Sequence, residues 1–358
     1  MTRTAEATIE QVEVSARTIP TEEPESDGTL EWDSTTIVVV RVHAAGEVGL
    51  GYTYTHDAAA RLIEDKLAPV VRERDPMDVD GAWHAMSRAL RNIGRPGLGF
   101  MALSAVDIAL WDLKARLRDE PLVVLLQAPR EAVPIYGSGG FCSYSDAQLQ
   151  RQLAAWVEQG IPRVKMKVGR EPERDRERVG AARAAIGGDA ALFVDANGAY
   201  SREDAVDWAN AYGEEFGVTW FEEPVSSDDL DGLRLVRDSA PHRLDVAAGE
   251  YGDLPPYFEH MAPVVDCLQV DVTRCGGITG LLTAAEIAAR HGRDVSAHCA
   301  PAISAHAFCA VPRFRHAEYF HDHVRVERMV FDGVPEPEGA VLRPDLSRSG
   351  HGLELKAA

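Results

Sequence analysis

The sequence is short of positive charge: 37 Lys and Arg stand against 57 Asp and Glu, a formal net charge of −20. A chain with that balance has no basic footprint for a phosphate backbone, so nucleic-acid binding is not expected. Cysteine is scarce as well. Cys142, Cys267, Cys275, Cys299 and Cys309 make an odd number without a C-x-x-C spacing. That argues against a disulfide framework or a structural zinc site and points to a reducing, cytoplasmic setting. No apolar run approaches the ~18 residues of a membrane span, and IVVVRV (37–42) has only the length of a strand. The opening MTRTAEATIEQVEV lacks the apolar stretch of a secretory leader. Gly-rich fragments such as GEVGLGY and GRPGLGF do not read G-x-G-x-x-G between a strand and a helix, so a dinucleotide fingerprint is missing too.

What remains is an ordinary globular composition over 358 residues, 45% hydrophobic and 26% charged, enough for a large barrel and a smaller partner domain. The first part reads as α+β. EQVEVSARTI and TTIVVVRVHA alternate as strands, while PTEEPESDGTLEW (20–32) and GYTYTHD (51–57) are expected to be polar loops. Helical patterns follow at 58–73 and 77–92. FMALSAVDIALWDLKARL (100–117) is a helix whose Ala and Ser residues predict close packing against another surface. Further on, strand-like runs alternate with amphipathic helices: VPIYGS, RVKMKVG, ALFVDANG, VTWFEEP, LDVAAGE, CLQVD, DVSAH and HAEYF. About eight βα units predict a parallel sheet closed into a barrel, with the Pro/Gly-rich tail packing back on the N-terminal region.

Each of these strands ends in an ionisable residue. From Lys167 the steps are 28 residues to Asp195, 27 to Glu222, 28 to Glu250, 21 to Asp271, 27 to His298 and 20 to Glu318. One βα repeat occupies roughly 20–30 residues, so one such group per repeat places them all around the C-terminal mouth of the barrel. Asp195, Glu222 and Glu250, from three consecutive strands, would repel one another without a cation. An all-oxygen set favours Mg²⁺ or Mn²⁺ over zinc. Glu223, beside Glu222, points to the opposite face by period-2 geometry.

The same rule puts Lys165 and Lys167 of VKMKVG on one interior face. Two neighbouring ammonium groups near a cation are expected to lower the pKa of Lys167 toward that of a usable base. Asp271 and His298 end adjacent strands, and a carboxylate beside the imidazole fixes its tautomer and supports a second acid/base. Glu318 is a candidate hydrogen-bond donor to a substrate carboxylate or an ordinary buried partner. Ser138 (YGSGG) and Asn197 (DANG) are candidate substrate contacts. Arg91 and Arg95 are candidates for a distal carboxylate, with the interdomain interface the safer assignment. His306, His321 and His323 are read as structural or rim residues.

VKMKVG, VDANG, WFEEP, AGEYG, QVDVTRCGG and SAHCAPAISAH, in this order, resemble the enolase superfamily and within it the mandelate racemase subgroup. The resemblance implies a modified TIM barrel, (β/α)₇β, over 131–325, and an α+β capping domain over 1–130 with 326–358 packing back on it. It implies that Asp195, Glu222 and Glu250 bind Mg²⁺ and that Lys167 is the base on one face of the substrate's α-carbon. Lys165 would tune Lys167 and contact the substrate carboxylate, His298 with Asp271 would serve the opposite face, and Glu318 would face a carboxylate oxygen. Such sites pair a lysine or histidine base with Mg²⁺ to stabilise an enediolate.

The expected reaction is proton abstraction α to a carboxylate, followed by loss of a β-hydroxyl to give a 2-keto-3-deoxy acid from an acid sugar. Polar residues of the capping segments, Glu22, Glu23, Glu25, Tyr52, Tyr54 and His56, favour that substrate over an aromatic one. The alternatives are a two-base racemase or epimerase of a 2-hydroxy acid and a non-catalytic ligand-binding barrel. The expected partner is a small carboxylate, and the resemblance implies a homo-oligomer.

Overall fold

Three antiparallel strands open the chain: β1 (Gln11–Ser26), β2 (Glu31–Ala44) and β3 (Glu47–Tyr54). The computed structural model describes residues 7–357. The first six, on which the reading of the N-terminus partly rests and with which the expected capping domain begins, lie outside the described residues, as does Ala358. Both segments expected as loops turn out to be largely strand. Pro20 and Pro24 lie in β1, which pairs only with β2, and the register slips between Pro20 and Glu25. An edge strand with a bulge tolerates residues that cannot donate to a ladder. Mostly open to solvent there, it needs no apolar stripe, which is why its sequence looks like a loop.

The glycines of β3 mark a close approach. A Cβ on Gly49 or Gly51 would lie 2.2 Å from the carbonyl oxygen of Ala109 or Ala105 in the Leu98–Leu117 helix. The small residues of that helix therefore do pack closely, as expected. The same helix reaches the barrel. Gly276 and Gly277 donate their N–H groups to Ser104 Oγ at 2.9 and 3.0 Å, and Thr279 donates N–H and Oγ1–H to Asp107 at 3.0 and 2.7 Å. These side chains satisfy orphan donors at the start of the Gly277–Arg290 helix and so tie down the loop holding Asp271 and Arg274. In the tail, Val341 and Leu342 pair with Pro134 and Val133, while His351 Nε2 meets the Leu50 carbonyl at 2.7 Å.

Eight parallel strands close on themselves: β4 (Val133–Ser138), β5 (Arg163–Lys167), β6 (Ala191–Asp195), β7 (Val218–Glu222), β8 (Asp245–Ala248), β9 (Cys267–Val270), β10 (Asp294–Ala297) and β11 (Phe314–Phe320). They neighbour one another in that order, and β11 pairs with β4. A helix lies between each consecutive pair, giving the (β/α)₇β barrel expected. Alternation then stacks two layers inside. Tyr136, Phe193 and Trp220 fill the lower one with His316. Two residues further along β6 and β7 come Asp195 and Glu222.

The tip between β1 and β2 sits on the barrel mouth. Cys142 donates its N–H to the Ser26 carbonyl at 2.8 Å, and the Trp32 and Phe141 rings meet edge to face at 5.7 Å. Gly28 has no room for a side chain: a Cβ would lie 2.4 Å from the Ala196 oxygen and 2.7 Å from the Val168 oxygen. Gly28→Ala must lift the tip, and is expected to cost about 1–3 kcal/mol of stability. Thermal unfolding would show it as a lowered midpoint, together with weaker substrate binding. An unchanged midpoint and KM would mean that the tip is not seated there.

Candidate active site

Period-2 geometry brings the strand-end groups of β5, β6 and β7 to the same interior face, and the loop ends after β8, β9 and β10 add Glu250, Asp271 and His298. Asp195, Glu222 and Glu250 each present a carboxylate oxygen, all within 4.8 Å of one another. Rather than facing this cluster across the mouth, both lysines bond into it. Lys165 Nζ pairs with Glu222, with Glu318 at 2.9 Å and with Asp195 at 3.3 Å. Lys167 Nζ donates to Asp195 at 2.5 Å and to Asn197 Oδ1 at 3.0 Å. Trp220 Nε1 donates to the second oxygen of Glu222 at 2.9 Å.

On the other side His298 Nδ1 lies 2.7 Å from Asp271 Oδ2, while Thr273 donates N–H and Oγ1–H to Asp271 Oδ1, both at 2.7 Å. Asp271 is thereby held as an acceptor for Nδ1–H, which leaves Nε2 of His298 facing the cavity. Glu250 Oε2 is 3.3 Å from that nitrogen but not aligned for a hydrogen bond. It is one of two buried carboxylate oxygens here without a partner, the other being Glu223 Oε1. Contrary to the expectation from strand alternation, Glu223 follows the last residue of its strand at φ 39° and lies within the field of Glu250, Asp195 and Glu222. Buried acceptors are seldom left unpaired. An all-carboxylate cluster with orphaned oxygens is chemically suited to a hard divalent cation.

The pKa pattern follows from these contacts. Burial, the largest influence, and the neighbouring Lys165 push Lys167 down, but the Asp195, Glu222 and Glu250 carboxylates together outweigh them and leave its pKa raised. Lys165 behaves likewise, raised well above its ordinary value by Glu222 and Glu318 against burial. Among this chain's own residues the carboxylates outweigh the repulsion between the two ammonium groups, so the lowered lysine pKa expected beside a cation needs that cation's charge as well. Burial and the nearby Asp195 push Glu222 up. Glu318 would be raised by burial, yet Lys165 and His298 hold it well below the usual carboxylate range. It also accepts from Ser138 Oγ at 2.6 Å and from the Cys299 N–H at 2.9 Å. Glu318 is therefore an ionised acceptor, not a protonated donor.

A cavity of about 530 Å³ lies above the cluster, walled below by Lys167, Asn197, Glu250 and His298 and above by the β1–β2 tip. Ser138 is not at its wall. Of the capping residues expected to make it polar, only Tyr54 and His56 line it. Glu23 binds Gln148 at 2.6 Å and Glu22 lies 3.4 Å from His321, both on the outer face, while Glu25 accepts from Trp32 Nε1 at 2.9 Å. Tyr52 is buried and donates to Glu327 at 2.5 Å. The polarity comes instead from Asp27, Ser34, Thr35, Thr36 and Thr55. Arg91 and Arg95 do not line the cavity, and Arg95 Nε donates to the Ser87 carbonyl of the preceding Val79–Ala89 helix at 3.0 Å. His306 is buried away from the cavity, His321 is on the rim, and His323 lines the wall.

Sequence reasoning missed Arg274. Its guanidinium sits 3.3 Å from Asp271 Oδ2 and 3.4 Å from Glu250 Oε1, so it links the imidazole's partner to the carboxylate cluster. Its signal was the step of three residues from Asp271, one turn into the loop. Cys299 was also passed over: with His298 and Glu318 it forms a second group of donor atoms within 4.8 Å.

A closed (β/α)₇β barrel whose mouth carries a carboxylate cluster, a lysine pair and an Asp–His pair under an antiparallel cap defines an enolase-type capped barrel. Residues 148–358 match the family profile described as enolase C-terminal domain-like, and residues 10–127 match the mandelate racemase/muconate lactonizing enzyme N-terminal domain. The chain belongs to the mandelate racemase/muconate lactonizing enzyme family of the enolase superfamily. A solved mandelate racemase/muconate lactonizing enzyme-like protein from Rubrobacter xylanophilus is 57% identical, with a TM-score of 0.96 over 98% of this chain and 97% of that one. L-Talarate/galactarate dehydratase of Salmonella typhimurium is 32% identical over 89% of this chain and 84% of that protein. Its structure with Mg and L-lyxarohydroxamate superposes with a TM-score of 0.89 over 99% and 93% of the two chains, at 28% identity. 3,6-Anhydro-α-L-galactonate cycloisomerase of Streptomyces coelicolor is 32% identical over 89% of each chain. Among the described residues, no helix is long and apolar enough to cross a membrane.

Proposed function

We propose that the protein is a Mg²⁺-dependent lyase that removes the proton α to the carboxylate of an acid sugar and expels the β-hydroxyl, giving a 2-keto-3-deoxy acid. The observation that carries this reading is the approach of two separate bases, Lys167 and His298, to one cavity beside the carboxylate cluster. Asp195, Glu222 and Glu250 would hold the cation. When bound, it supplies positive charge that relieves their repulsion and lowers the energy of charge developing on the substrate carboxylate.

Lys167 would take the α-proton as the free amine once a cation on Asp195 offsets the carboxylate that otherwise keeps it charged, and Asn197 would then hold its ammonium in place. Lys165, buried and kept charged by Glu222 and Glu318, provides a fixed positive field as electrons move into the carboxylate. His298 gives its Nε2 proton to the departing hydroxyl, so water leaves, and Asp271 stabilises the imidazolium that precedes this step. The enol left behind takes up a proton to become the ketone. The dry layer of Tyr136, Phe193 and Trp220 beneath strengthens each of these interactions.

Two bases at one cavity also favour a second reading, in which His298 returns a proton to the opposite face and the product is an epimer. Incubation with Mg²⁺ and a panel of aldonic and aldaric acids is expected to yield a 2-keto acid. Solvent deuterium entering the α-position with no keto product from any panel member would favour the epimerase. The same reading divides the chain into a cap (1–130, with 326–358 returning to it) and a barrel (131–325). It takes the substrate as a small carboxylate. Five unpaired cysteines support a cytoplasmic location, and membership of the family supports a homo-oligomer.

A further inference from the structure

The lysine and arginine of the cavity lining stand at one end only. Lys167, Glu250, Arg274, His298 and Glu318 gather at its inner end, where the proposed chemistry takes place. The outer wall is Leu30, Trp32, Ser34, Thr55 and Phe320, with hydroxyls and apolar faces interleaved. Among the described residues lining that outer half, none is a lysine or arginine. Its carboxylate is Asp27, fixed by N–H donors from Thr29 and Leu30, both at 2.6 Å.

Two histidines stand there. His56 is 77% exposed and pairs with Asp57 at 2.8 Å. His323 is buried, stacked on Tyr54 with ring centroids 3.4 Å apart, and burial pushes it down to about 3. Two arginines beside the tip do not line the cavity: Arg170 pairs with Glu31 at 2.7 Å and donates to the Leu30 carbonyl at 3.2 Å, and Arg325 pairs with Asp322 at 2.7 Å. Arg274, at the inner end, already faces Asp271 and Glu250.

We infer that the substrate carries a single carboxylate, at its reacting end, and that the far end of its chain is uncharged: an aldonic-type acid ending in a hydroxymethyl or methyl group, not an aldaric diacid. The inference rests on the acid-sugar reading proposed above. A second carboxylate at the outer wall would lie among Trp32, Leu30 and Phe320, with the Asp27 carboxylate in the same lining and no lysine or arginine there to pair with it. A hydroxylated tail finds Ser34 and Thr55, and the ring faces cover its C–H groups. This sets the chain apart from the Salmonella relative, which is named for two diacids.

The test uses stereochemically matched six-carbon pairs, such as D-gluconate with D-glucarate and D-galactonate with galactarate, on the Mg²⁺-loaded protein. Two readouts are taken: kcat/KM for the keto product and the ligand-induced rise in thermal midpoint. In the best pair the monoacid is expected to lead about tenfold, the scale of one unpaired charge facing a like charge at a partly exposed wall. Diacids that equal or surpass their monoacids in turnover overturn the inference and leave the dehydratase reading intact. Monoacids that raise the midpoint without forming product, where diacids do neither, support the inference and remove the dehydratase reading. No rise with either class overturns it. Leu30→Arg, at a side chain 64% exposed, adds a cation to the outer wall. It is expected to move the ratio at least roughly tenfold toward diacids, and an unmoved ratio contradicts a wall that reads tail charge.

Discussion

Glu250→Gln is expected to abolish Mg²⁺-dependent turnover, by on the order of 10²–10³-fold or more, the scale of losing charge stabilisation in a transition state. The thermal midpoint without added Mg²⁺ should hardly fall. Glu250 Oε2 has no hydrogen bond to lose, and its other oxygen has only the long 3.4 Å contact to Arg274. An amide there also removes one negative charge from a crowded cluster. What the variant should lose is stabilisation by the metal: a cation at 100 times its Kd adds about 2.7 kcal/mol to a protein that binds it only when folded. Titration calorimetry and unfolding with and without Mg²⁺ would separate the two effects. A variant that still gains stability from Mg²⁺ as the parent does would remove Glu250 from the metal site. Excess chelator should silence the parent protein in the same assay.

Lys167→Met and His298→Asn are expected to cut different half-reactions. General acid–base groups contribute about 10²–10⁴-fold each. Without Lys167, exchange of the α-proton with solvent on its face should fall by that order, while exchange through His298 persists. Without His298, α-proton exchange through Lys167 should continue but the β-hydroxyl should stay, because its proton donor is gone. Mg²⁺ affinity should not fall in Lys167→Met, since a positive charge 2.5 Å from Asp195 has been removed. Proton NMR in deuterium oxide reads both exchanges directly. If both variants lost all exchange equally, the division of faces between the two residues would be wrong.

The strand-end residues were legible because two simple periods multiply: a βα unit every 20–30 residues and side chains alternating along each strand. That arithmetic located Asp195, Glu222, Glu250, Asp271, His298 and Glu318 without any contact information, and the fold brings them to one mouth. It failed where a residue leaves the strand. Arg274 reaches the site from the turn after β9, and Ser138, although it ends β4, turns its hydroxyl to Glu318. Residues 20–32, the tip of the β1–β2 hairpin, read as loop because an exposed edge strand with two prolines carries no apolar rhythm. The wrong glutamates were therefore assigned to the cavity in place of Trp32, Ser34 and Thr35. The balance of charge at the two lysines is illegible for another reason: it depends on how close carboxylate, ammonium and cation lie, and spacing along the chain does not measure that.

The central claim is that the three carboxylates of β6, β7 and the turn after β8 cage one divalent cation. Anomalous diffraction from crystals containing Mn²⁺ in place of Mg²⁺ tests it most directly. The expected result is one peak about 2.1 Å from an oxygen of each of Asp195, Glu222 and Glu250. A peak at His298, Cys299 and Glu318 instead, or none in the barrel mouth, would contradict it.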